Sequence, residues 1–310
     1  MSYDEPPTAP RRLARSNLAI AAAALVPTAL AGWLVWEAMS GPASSAPPPK
    51  AVALPGATTP GGDGKSAATP DGRPSSAPAS ASGAPRGPLA GKVIVIDPGH
   101  NPGNFSHSRE INKQVDIGTN RKECDTTGTS TNAGYTEAEF TRDVSQRLRT
   151  LLRGRGATVE FTWDGDRAWG PCVDERARIG NKAKADAVVS VHADGSARGN
   201  RGFHVILPAL VKAGGADNSA IVGPSRALGE RLVDRFARAT GSARSNYVGD
   251  GTGLDVRKDL GGLNLSTVPK VFIECGNMRD SGDAALLTNP AWRQKAAQGI
   301  ADGIGTFLKG

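Results

Sequence analysis

The chain has four histidines among 310 residues, and two of them close hydrophobic runs. His100 follows Val93-Ile94-Val95-Ile96-Asp97 across Pro98-Gly99, and His192 lies in Val188-Val189-Ser190-Val191-His192-Ala193-Asp194. A third run, Val271-Phe272-Ile273-Glu274, ends on an acid. Imidazole and carboxylate are the donors a catalytic zinc prefers, with three protein ligands and a fourth position left for water. The helix start Tyr135-Thr136-Glu137-Ala138-Glu139 offers the third ligand. Thr136 reads as the N-cap, and Glu139 falls at N3 and completes a Thr-x-x-Glu capping box. That leaves Glu137 free to face a metal. His204 lies inside a strand-like run and reads as packing, and His107 lies in a polar loop. Asp97 has two open readings: a turn residue before Pro98-Gly99, or a residue behind the metal that orients a ligand histidine.

These residues need elements to position them. Strand-like runs recur at 92–97, 158–162, 187–193, 202–207 and 270–274. They are continuously hydrophobic, as parallel strands buried on both faces are. Helical periodicity lies between them. From Glu137 the apolar residues Phe140, Val144, Leu148 and Leu151 recur at helical spacing. Further helices are expected over 174–185, 225–239 and 290–308. Strands alternating with helices predict an α/β fold, a twisted, mostly parallel or mixed sheet flanked by helices. In such sheets ligands bind beyond the carboxyl ends of the strands, where His100, His192 and Glu274 fall. The segments 101–135 and 241–269 fit neither class, and loops of that length are usually functional. Arg109, Lys113, Arg121 and Lys122 make the first of them a candidate substrate groove, a lid or a solvated surface loop.

The N-terminal region has a different character. Leu18 to Trp36 is 19 residues without a charge, long enough to cross a bilayer. Arg11, Arg12 and Arg15 precede it, which places the N-terminus in the cytoplasm. The expected organisation is a cytoplasmic tail at 1–17, a transmembrane signal anchor at 18–39, a Pro/Ala/Ser/Gly-rich linker at 40–90 and a catalytic domain at 91–310. A cleaved signal peptide is the competing reading, with small residues near Ala43 as the cleavage region. Either way the domain is exported: a single-pass membrane protein with an extracytoplasmic domain, or a secreted one. The linker composition buries too little apolar surface to fold and reads as a tether. The net charge of +7 suits an anionic surface such as an acidic wall polymer. Aromatic residues make up only 5%, with no basic stripe of stacking residues, which argues against nucleic acid.

IDPGHNPGN, GYTEAEF, SVHADG and IECGNM, in this order, resemble the zinc-dependent N-acetylmuramoyl-L-alanine amidases of the Amidase_3 type. The resemblance extends over about 92–308. It implies Zn2+ held by His100, Glu137 and His192, with Glu274 as the catalytic acid and base. It also implies peptidoglycan as the substrate, cut between N-acetylmuramic acid and L-alanine, in a role of cell-wall remodelling. The segment 253–264 would border the stem-peptide site, with Arg257 and Asn264 as candidate contacts. Nothing in the resemblance calls for more than a monomer.

None of the three cysteines, Cys124, Cys172 and Cys275, lies in a CxxC pair, so a thiolate zinc site is not expected. An exported chain can keep disulfides, and three pairings are open from the sequence. A related extracellular branch of the family carries cysteines at similar places, which implies a Cys124–Cys172 bridge. Cys275, within a buried strand, reads as a free thiol. Two other functions remain: a zinc peptidase or deacetylase acting on cell-wall material, and a non-catalytic peptidoglycan-binding module.

Overall fold

The computed structural model describes residues 86–310. The expected tail, membrane span and nearly all of the linker lie outside the described residues. Among those described, no helix is long and apolar enough to cross a membrane.

Among the described residues, ten strands and seven α-helices follow one another: β1 (Val93–Pro98), α1 (Ser108–Ile111), β2 (Gln114–Asp116), β3 (Arg121–Glu123), α2 (Glu137–Gly154), β4 (Thr158–Phe161), α3 (Val173–Lys182), β5 (Ala187–Asp194), β6 (His204–Pro208), β7 (Lys212–Ala213), β8 (Ala216–Asp217), α4 (Val222–Thr240), β9 (Leu254–Arg257), α5 (Gly261–Asn264), β10 (Lys270–Asn277), α6 (Ser281–Leu287) and α7 (Pro290–Lys309). Six strands form one sheet in the order β4-β1-β5-β10-β6-β9. β4, β1, β5 and β10 are mutually parallel. β6 runs antiparallel to β10 and carries β9 parallel to itself. The sheet is therefore mixed. The hydrophobic run at 202–207 looked like its parallel neighbours because burial on both faces, not strand direction, sets that pattern.

Alternation along β1 shows how the layers form. Ile94 and Ile96 turn to the larger core, beside Phe140, Val144, Leu148 and Leu152 of α2, which recur every four residues and are fully buried. Side chains of this size contribute about 1.5–3 kcal/mol each when buried. Leu151, expected on that face, is only half-buried, and Leu152 takes the inward place. Residues of α4 and α7 complete this layer. Val95 turns the other way and packs with Val188 and Ala185, under Ile179 of α3.

The chain leaves β1 for β4 on one side and then crosses to β5 on the other. The strand order thus reverses between β1 and β5, and the crevice beyond their carboxyl ends is where such sheets bind ligands. The segment 101–135 crosses the region as α1, the β2–β3 hairpin and a coil leading to α2. A disulfide between Cys124 and Cys172 ties it to the start of α3. Cys275 is a free, buried thiol.

Candidate metal centre

Three side chains from three elements converge beyond the sheet. His100 comes from the turn after β1, Glu137 opens α2, and His192 lies near the end of β5. One donor atom from each lies within 4.8 Å of the others. Glu137 stands between the two rings. Its Oε2 is 3.1 Å from His100 Nε2, and its Oε1 is 2.9 Å from His192 Nδ1. The rings meet edge to face with centroids 5.1 Å apart.

Local structure explains the aim of each residue. Thr136 and Glu139 form the capping box, with both reciprocal hydrogen bonds present. Glu139 is thereby engaged at the helix end, and Glu137 faces inward, where the backbone N–H groups of Thr129 and Ala193 donate to it. His100 sits at φ +59°, in the left-handed region that non-glycine residues rarely occupy and that recurs at functional sites. Gly99 before it is required by space: a Cβ there would stand 2.3 Å from the His192 ring. The Thr126 carbonyl holds His100 Nδ1 at 3.1 Å.

Charge is concentrated here. Burial would lower the His100 imidazole, but the Glu137 carboxylate, helped by Asp125, pushes it up to about 9. Burial would raise Glu137, and the two histidines hold it well below the usual carboxylate range. Two imidazole nitrogens and one carboxylate, with the second nitrogen of each ring occupied elsewhere, are a donor set that fits zinc.

Glu274 stands beside His192 in the parallel register of β5 and β10. Its Oε2 is buried and has no hydrogen-bond partner. Burial, then Glu137 and Asp194, push this carboxyl well above its usual range, and Arg257 opposes them. Glu274 lines a cavity of about 210 Å³ together with His100, Glu137, His192, Asp194 and Arg257. A second cavity of about 180 Å³ shares both histidines and extends toward Lys122 and Glu123 of the hairpin and Gly261-Gly262. The two cavities meet at His100, His192, Leu260 and Phe272.

The other expected residues divide. Arg257 is at the cavity, its guanidinium clamped by both carboxylate oxygens of Asp259. Asn264 is not: it is fully buried and its amide donates to the carbonyls of Ile117 and Lys258. It pins two loops together, and the backbone has taken the donors a substrate would need. His204 is buried on β6, edge-on to Tyr247, as packing requires. His107 bonds its own turn through the Gly103 carbonyl.

Asp97 does not bond the His100 ring directly; it reaches the other histidine, His192, through Ser190. It is fully buried and bonded to Thr162, Arg176, Ser190 and Lys270. Arg176 also binds Asp125, so two acids and two bases form one buried cluster beneath the site. Sequence reading missed Arg176, Ser190 and Lys270. The traces were a lysine opening a buried strand and the serine that begins SVHADG.

Residues 94–306 match the family described as Amidase_3, N-acetylmuramoyl-L-alanine amidase. An N-acetylmuramoyl-L-alanine amidase of Mycobacterium tuberculosis is 40% identical over 221 residues, 71% of this chain and 88% of that relative. The crystal structure of an N-acetylmuramyl-L-alanine amidase from Mycobacterium smegmatis aligns with a TM-score of 0.66 at 40% identity, over 71% of this chain and 98% of that one. The apo form of the enzyme from Mycobacterium abscessus aligns at 0.65 with 39% identity, over 71% and 100%. With His100, Glu137 and His192 converging beside Glu274, the chain belongs to the N-acetylmuramoyl-L-alanine amidase family.

Proposed function

We propose that this protein is a zinc-dependent hydrolase that cleaves the amide bond between N-acetylmuramic acid and L-alanine in peptidoglycan, in the service of cell-wall remodelling. The observation that carries the proposal is the convergence of His100, Glu137 and His192 beside an unpartnered Glu274 carboxyl.

His100, Glu137 and His192 would hold the zinc. When bound, zinc supplies Lewis-acid polarisation of a carbonyl and lowers the pKa of water toward neutrality. Glu274, whose buried Oε2 has no hydrogen-bond partner and which lines the same cavity, takes a proton from the attacking water and delivers it to the departing amine. The carboxylate of Glu137 is unavailable for this role because both oxygens are engaged by the rings and by backbone N–H groups. Arg257, which lines the cavity and is partly exposed, offers a cation to an acidic stem peptide. Asn264 does not line this cavity.

Export through the N-terminal segment, with the tether carrying the domain toward the wall, belongs to the same proposal. The disulfide supports it, since such bonds persist outside the reducing cytoplasm. Digestion of purified peptidoglycan tests the activity: release of stem peptides supports it, and release of D-alanine or acetate favours the peptidase or deacetylase reading.

A further inference from the structure

Ser190 Oγ lies 2.9 Å from Asp97 Oδ2 and 3.1 Å from His192 Nε2. The direction of these two bonds follows from the charges behind them. Lys270 Nζ donates to Asp97 Oδ2 at 2.9 Å, and Arg176 Nη1 and Thr162 Oγ1 donate to Oδ1 at 2.8 and 2.7 Å. Two cations against one buried carboxylate keep it ionised, and an ionised carboxylate only accepts. The single hydroxyl hydrogen of Ser190 therefore points to Asp97. The other oxygen near it, the Asp97 carbonyl at 3.3 Å, is also an acceptor. With its hydrogen committed, Ser190 Oγ has only an accepting role left toward His192, so Nε2 carries the proton. In a neutral imidazole the lone pair then sits on Nδ1. That atom faces the Glu137 carboxylate at 2.9 Å, so two acceptors oppose one another there, an arrangement that a cation between them satisfies.

We propose that Lys270, Asp97 and Ser190 form a buried relay that fixes His192 in the tautomer presenting Nδ1 to a cation, which makes Lys270 and Ser190 positioning residues of the metal centre. The inference rests on the zinc reading above. His100 reaches the same condition by a shorter route, through the Thr126 carbonyl on its Nδ1. The two rings would thus offer different nitrogens to the metal, Nε2 of His100 and Nδ1 of His192. The relay also accounts for Lys270, which is 1% exposed at the start of β10 and lies 173 positions from the aspartate it meets. A buried lysine is costly unless it is paired, and here its partner leads directly to a ligand ring.

The test uses the full-length chain and zinc alone. Competition with a chromophoric chelator gives the affinity, and melting of the zinc-free protein gives the stability. Nitrogen-15 spectra of the zinc-loaded, histidine-labelled protein show which ring nitrogen binds. In the wild type His192 binds through Nδ1 and keeps a protected Nε2–H. Ser190→Ala loses about 10- to 100-fold in zinc affinity with little change in zinc-free melting, and Ser190→Thr, which keeps the hydroxyl, restores most of it. A merely structural role would lower the melting temperature and leave the affinity alone. Binding of His192 through Nε2, or a Ser190→Ala affinity within about twofold of wild type, overturns the relay while leaving the zinc reading intact. A wild-type protein that binds no zinc overturns both.

Discussion

Glu137 and Glu139 stand two residues apart on the first turn of α2 and face opposite tasks. Glu139 closes the capping box on Thr136, while Glu137 reaches between the rings of His100 and His192. Substitutions should therefore separate stability from activity. Glu139→Ala and Thr136→Ala cost about 1 kcal/mol of stability and leave zinc bound. Glu137→Ala empties the site and removes activity while the helix persists. Denaturant titration beside a zinc assay on the three variants checks this.

Glu274→Gln should lower turnover by about 100- to 10,000-fold, the range for loss of a general acid-base group, with zinc content unchanged. The same substitution should not harm the fold. Burial, Glu137 and Asp194 push the carboxyl up, so ionisation in the folded state is disfavoured. A carboxyl with a raised folded pKa loses stability as pH rises above its unfolded value, about 4.3. The zinc-free Gln variant should therefore melt at or above the wild-type temperature near neutral pH, with the gain shrinking toward acid. Calorimetry across pH measures it.

Asp97 has the opposite sign. Burial raises it, but Lys270 and Arg176 override that and hold it far below the usual range. A carboxylate with a depressed folded pKa adds stability that is fully present above its unfolded value, about 3.9, and is lost as pH falls below it. Lys270→Met leaves Asp97 short of one partner. It should cost about 3–5 kcal/mol at neutral pH, the range for breaking a buried pair, and move acid unfolding to higher pH. Far-ultraviolet circular dichroism during acid titration follows this directly.

The Cys124–Cys172 bridge spans 48 positions. In the chain-entropy model a loop of that length is worth about 4 kcal/mol. The double serine variant should lose roughly that much in urea unfolding. Because Asp125, next to Cys124, pairs with Arg176, the loss should also loosen the coil beside His100.

Much of the candidate site was legible in the sequence because its residues follow hydrophobic runs or open a capped helix. These are local patterns: one hydrophobic run stops at Asp97, three residues before His100, another stops at Glu274, and the Thr-x-x-Glu spacing separates Glu137 from Glu139. What was not legible depends on the fold. Lys270 and Arg176 find Asp97 only after the sheet has formed. The antiparallel direction of β6 and the short strand β9 leave no mark in a hydrophobic run. Asn264 lies on a segment that resembles a binding loop, and only its burial against Ile117 and Lys258 shows that it braces the loop.

The central claim is tested most directly by digesting purified peptidoglycan with the zinc-loaded full-length protein and reading the products by mass spectrometry. The account predicts stem peptides with a free L-alanine amine, glycan strands left intact with unsubstituted lactyl groups, and no such release by Glu274→Gln. Release of D-alanine or acetate in their place, or full activity in Glu274→Gln, would contradict it.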